Sequence, residues 1–143
     1  MSQPDTAKQM PIGYWLKRVD ELLTKKADQA LSSRGFTRHR WQALNAIYEA
    51  STITRNDVLA TMQTFIDADR LDEIIDGFLA EGWLAKQGEG DTAQLALTDA
   101  GKAEREAVFG LQGEVRRQAV QSISQKEYAA VIDVLRRMAA NLE

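Results

Sequence analysis

Residues 54–101 read TRNDVLATMQTF (54–65), IDADRLDEIIDGFLAEG (66–82), WLAKQGEGDTAQLALT (83–98) and DAG (99–101). Thr54 followed three residues later by Asp57 has capping-box spacing, with Asp in place of the commoner Glu, so a helix starts there. Val58, Leu59, Met62, Phe65 and Ile66 fall at helical spacing and form its expected buried face. Residues 67–69 then form a turn, with Asp67 or Asp69 as the N-cap of a second helix. That helix turns Leu71, Ile74, Ile75, Phe78 and Leu79 inward and stops at Gly82. Beyond it the hydrophobic period drops from about 3.6 to about 2. Trp83–Lys86 and Gln94–Leu97 read as two short strands joined by the glycine-rich tip QGEGDTA. Thr98 caps the helix that follows.

A helix-turn-helix followed by a hairpin is a winged helix, a module that usually sets its second helix in the major groove of DNA. Working outward, Pro11 opens a long helix with a stripe of Ile12, Trp15, Leu16, Val19, Leu22, Leu23, Ala27, Ala30 and Leu31, stopped at Gly35. Thr37 caps a helix that runs to about Ala50 and buries Trp41, Leu44, Ile47 and Tyr48. After the hairpin, a helix from Asp99 to about Ser122 carries Ala103, Ala107, Val108, Leu111, Val115 and Ala119. Ser124 and Glu127 form a second capping box, opening a helix with Tyr128, Val131, Ile132, Leu135, Met138, Ala139 and Leu142. The expected fold is mainly α, with a small β-hairpin wing. Residues 1–10 are a polar tail, 37–98 the DNA-binding lobe, and 11–36 with 99–143 a helical dimerisation region. The flanking helices exceed what one lobe needs, which points to a homodimer.

Composition excludes several classes. There is no Cys, so disulfides, Cys-ligated zinc and thiol chemistry are absent. The polar opening residues carry no apolar segment, and no run nears the roughly 18 apolar residues of a membrane span, so a cytoplasmic protein without membrane contact is expected. No phosphate loop, nucleophile–His–acid set or metal-ligand spacing is present, so no enzyme, metal or cofactor is expected. The net charge of −3 is unevenly spread. Residues 1–53 carry eight Lys/Arg against five Asp/Glu, whereas 54–82 carry two against seven. The DNA-reading unit is therefore the most acidic stretch, although DNA phosphates demand positive potential.

Three stretches, GFTRHRWQALNAIYEA (35–50), FLAEGWLAK (78–86) and LALTDAGKAE (95–104), resemble the multiple-antibiotic-resistance regulator (MarR) family of winged helix-turn-helix transcription factors. The Leu-Thr-x-x-Gly element at Leu97–Gly101 is the most specific of these. The resemblance spans about residues 11–142. It implies a homodimer held by the first, fifth and sixth helices on a pseudo-palindromic double-stranded DNA operator. It also implies a repressor released by a small aromatic effector lodged between dimer region and lobe. Two features differ from the family pattern. No Arg follows Asp91 in the wing, and the recognition helix exposes Asp69, Asp72, Glu73 and Asp76.

Candidate DNA contacts follow from position and charge. Arg70 lies in the first turn of the recognition helix, placed either for a guanine edge or for a pair with Asp67 or Glu73. Thr54, Arg55 and Asn56 start the preceding helix, where N–H groups and side chains can hold a phosphate. Arg38 and Arg40 sit at a helix N-terminus, against the dipole preference, and Lys86 is the nearest cation of the wing. Trp15, His39, Trp41 and Tyr48 are the candidates for an effector pocket, the aromatics also fitting an ordinary core. A second function class fits the acidic helix: a winged-helix interaction module that binds a basic protein instead of DNA.

Overall fold

The computed structural model describes residues 8–143, so most of the expected tail, residues 1–7, lies outside the described residues. The chain forms α1 (Ile12–Leu31), α2 (Arg38–Ala50), β1 (Ile53–Thr54), α3 (Arg55–Met62), α4 (Ala68–Ala80), β2 (Leu84–Gln87), β3 (Gln94–Leu97), α5 (Asp99–Ala119) and α6 (Gln125–Leu142). Short 3-10 turns follow α1 and tip the wing. The architecture is the expected one, a mostly helical winged helix with a small antiparallel sheet.

The caps explain the boundaries. Thr37, Thr54, Asp67, Thr98 and Ser124 each accept a backbone N–H from the first turn of the helix they precede. Asp67, not Asp69, is the cap of α4. At α6 the reciprocal capping box is complete, with Glu127 Oε1 accepting from the Ser124 N–H at 3.0 Å. Those bonds hold the Glu127 carboxyl below its usual range. α1 ends at Leu31, short of the expected stop at Gly35, which instead closes the 3-10 turn after it; Gly35 and Gly82, which follows α4, both lie in the left-handed region, at φ 72° and 79°.

The sheet holds one strand more than expected. β1 pairs antiparallel with β3, Ile53 opposite Leu95, and β3 pairs with β2, giving the order β1-β3-β2. A two-residue strand lies below any period that a sequence window detects. Thr54 therefore belongs to the sheet and also caps α3. Other differences are small. β2 starts one residue later than expected, α5 ends at Ala119, and α3 stops at Met62, which leaves Phe65 in the turn and exposed instead of buried.

The wing root gives the Leu-Thr-x-x-Gly element a physical meaning. Thr98 Oγ1 donates to the Gly82 carbonyl at 2.6 Å and accepts from the Gly101 N–H at 3.1 Å. The Thr98 N–H donates to the Trp83 carbonyl at 2.9 Å. α5 thus starts directly on the backbone that leaves α4. A Cβ on Gly101 would lie 2.1 Å from the Trp83 carbonyl oxygen, so only glycine fits.

One core joins the lobe to the arm: Leu31, Phe36, Leu44, Ile47, Val58, Met62, Leu71, Ile75, Phe78, Leu95 and Val108 are buried together. α1 is divided. Ala27 and Leu31 enter this core, while Ile12, Trp15, Leu16 and Val19 lie on the surface, Val19 at 51% exposure. α6 buries no residue at all, and Val131 is 55% exposed.

Candidate nucleic-acid interface

α3 and α4 are joined by a short turn, both touch the wing, and α4 turns a polar outer face to solvent. On that face Asp69, Arg70, Asp72, Glu73 and Asp76 are all exposed. The charges are not independent. Arg55, first residue of α3, reaches across to α4 and donates from Nη1 to Asp72 Oδ1 and from Nη2 to Asp76 Oδ1, each at 3.0 Å. Partial burial disfavours the Arg55 charge, but the bonds to Asp72 and Asp76 outweigh it and hold the guanidinium above its ordinary range. Arg70 pairs with Glu73 at 3.2 Å, while its backbone N–H is taken by the Asp67 cap. Both cations of residues 54–82 are therefore engaged by carboxylates of the same helix pair. The Arg55 partners lie 17 and 21 residues away, beyond any local spacing rule, and sequence reasoning missed them.

The remaining candidates fall in different places. Asn56 is exposed at the start of α3, and Thr54 is occupied by its cap. Lys86 stands on β2 opposite Leu95, with its ammonium 3.6 Å from Glu89 at the wing tip. Arg38 and Arg40 have geometry that does not suit the expected phosphate role. Arg38 folds back on α1, donating to Asp20 Oδ1 at 2.7 Å and Thr24 Oγ1 at 3.0 Å, and its side chain is only 15% exposed. Asp28 of α1 also accepts the Arg38 N–H at 2.8 Å. Arg40 lies over the rings of Phe36, Phe78 and Trp83 and donates to the Gly35 carbonyl. Burial lowers its affinity for a proton. Both arginines bind lobe and arm together.

Trp15, His39, Trp41 and Tyr48 do not share one pocket. Trp15 stands edge-on to Tyr14 and lines a groove of about 420 Å³ between α1 and α6, with Ile12, Leu16, Val19, Val131 and Leu135. His39 lies 3.1 Å from Gln42 and beside Phe65. Trp41 and Tyr48 instead surround Arg105, which no sequence signal singled out. Its guanidinium sits 4.1 Å from the Tyr48 ring centroid, 4.6 Å from Phe109 and 5.7 Å from Trp41. It also donates to Asn45 Oδ1 at 3.0 and 3.2 Å. Tyr48, expected in the core, is half-exposed because it covers this buried cation. Arg105→Ala is expected to cost about 2 kcal/mol, from the lost stacking and charge-assisted bonds, read by urea denaturation. Arg105→Lys should recover less than half, because an ammonium cannot stack on these rings and reach Asn45 together.

No group of three or more metal-ligating side chains occurs among the described residues, and no helix there is long and apolar enough to cross a membrane.

No protein-family model matches the sequence, and no curated protein sequence matches it. Solved structures do match in three dimensions. A MarR-family transcriptional regulator from Rhodococcus superposes with a TM-score of 0.79 at 20% identity, covering 96% of each chain. The oxidised form of MarR from E. coli gives 0.74 at 20% identity, over 91% of this chain and 95% of that one. A mutant E. coli MarR complexed with operator DNA gives 0.76 at 18% identity, over 95% and 99%. From the α1 arm through the wing to α6, this chain has the winged-helix fold of the MarR-family transcriptional regulators.

Proposed function

We propose that the chain is a homodimeric, MarR-like DNA-binding transcriptional regulator, acting as a repressor on a pseudo-palindromic operator. The observation that carries this reading is the complete helix-turn-helix and wing set flanked by two arms, α1 and α6, that leave large apolar residues such as Leu16, Val19 and Val131 exposed among the described residues. The superposition of nearly the whole chain on a MarR complexed with operator DNA supports it. The N-terminus of α3, with Thr54, Arg55 and Asn56, meets the phosphate backbone. Arg70 in the first turn of α4 reads a base edge, and Lys86 follows the strand at the wing. Arg38 and Arg40 keep lobe and arm in register. Exposed apolar residues of α1 and α6 bury against the second copy, as large unpartnered apolar patches do. A small aromatic effector enters at the arm–lobe junction beside Tyr48, where a cavity is also lined by Leu97 and Lys102.

The acidic face of α4 favours a second reading, an interaction module for a basic protein. DNA retardation separates the two. A regulator shifts the DNA upstream of its own gene, with affinity falling steeply as salt rises. Arg70→Ala should then reduce discrimination by about 1–3 kcal/mol at one base position. Indifference to every genomic fragment over random DNA at moderate salt would leave only the interaction module.

A further inference from the structure

We propose that Asp72 and Asp76 act as an internal latch on Arg55, competing with DNA phosphates for the same guanidinium; this rests on the DNA-binding reading above. Both terminal nitrogens of Arg55 are taken at 3.0 Å, one by each carboxylate. Asp72 and Asp76 lie four residues apart on one face of α4, where like charges repel. Arg55 between them relieves that repulsion, so drawing it away leaves two uncompensated charges on the face that approaches DNA. The carboxylates stay half-exposed or more, so they are reachable by solvent and counterions, whereas the Arg55 side chain is 23% exposed. The first residue of α3 is also where a helix N-terminus directs its N–H groups at a phosphate. In the free protein Arg55 is turned from that position toward α4. Binding therefore requires a rearranged Arg55, and the observed affinity is reduced by the fraction of molecules in which it is released.

The test is a mutant cycle on duplex DNA, using a fragment selected from genomic DNA and a random-sequence duplex. The wild type, Arg55→Ala, the pair Asp72→Asn with Asp76→Asn, and the triple variant are compared by fluorescence anisotropy over a salt series, after circular dichroism confirms their helicity. The Asn pair is expected to tighten binding about tenfold or more and to steepen the salt dependence by about one released counterion. Arg55→Ala should cost little in the wild type and about tenfold or more in the Asn background. A second pair, Asp57→Asn with Asp69→Asn, removes as many carboxylates without touching Arg55, and should gain clearly less. Equal costs of Arg55→Ala in both backgrounds, or equal gains from the two Asn pairs, would overturn the latch while leaving DNA binding intact. Failure of every protein, wild type included, to prefer the selected fragment would overturn the DNA-binding reading and the latch with it.

Discussion

A protein carrying Gly101→Ala is expected to lose about 3 kcal/mol of stability and about 10 °C in its unfolding midpoint. A methyl group at this position would meet the Trp83 carbonyl oxygen at 2.1 Å and its carbonyl carbon at 3.0 Å. The obstacle is backbone, which cannot turn aside as a side-chain tip can. Trp83 is fixed on one side by its N–H bond to Phe78 and on the other by its carbonyl bond to Thr98. Relief therefore requires α5 to lift from the end of α4, opening the Thr98 bonds and separating arm from lobe. Helix propensity acts in the other direction, since Ala is favoured over Gly by about 1 kcal/mol in a helix. Gly77→Ala supplies the control. That helical glycine has nothing within 4 Å of a built Cβ, so the same substitution should be neutral or slightly stabilising. Thermal unfolding of the two variants beside the wild type checks both signs.

The second large effect concerns assembly. Leu16→Glu combined with Val131→Glu is expected to convert a dimer to a monomer, raising the dissociation constant about a thousandfold or more. Leu16 and Val131 line the same groove between α1 and α6, and both are exposed in the single chain. In a two-fold dimer each substitution occurs twice, and each buried carboxylate loses solvation as well as apolar contact. Neither residue belongs to the buried core, so the monomer should keep its lobe and its helicity. Light scattering reads the mass, and circular dichroism the fold. A wild-type chain that runs as a monomer at micromolar concentration would overturn the proposed dimer.

The lobe was legible in the sequence because each boundary is a local event. A cap or a glycine stop fixes α2, α3, α4 and α5 within a few residues, and the change of hydrophobic period fixes the wing. The long apolar stripe of α1 was equally visible, but its division into a buried end at Ala27 and Leu31 and an exposed end at Ile12–Val19 was not. That division depends on where α5 crosses. The third strand escaped because two residues carry no period.

The charged residues were less legible than the apolar ones. Arg38 and Arg40 at a helix N-terminus looked available to phosphates, yet one reaches Asp20 and the other covers three aromatic rings. Long side chains choose their partners across the fold, at separations that neither helical nor strand spacing encodes. The acidic surplus of residues 54–82 was plain from counting, but its partial neutralisation by Arg55 required the packing of α3 on α4. Arg105, placed 60 residues from Asn45, illustrates the same limit.

Sequence-specific DNA binding by this fold is best tested by selecting genomic fragments with the purified protein at moderate salt. A few fragments sharing a pseudo-palindrome, with half-sites about one helical turn apart, are expected to be enriched. Recovery of fragments no different from those of a protein-free control would contradict it.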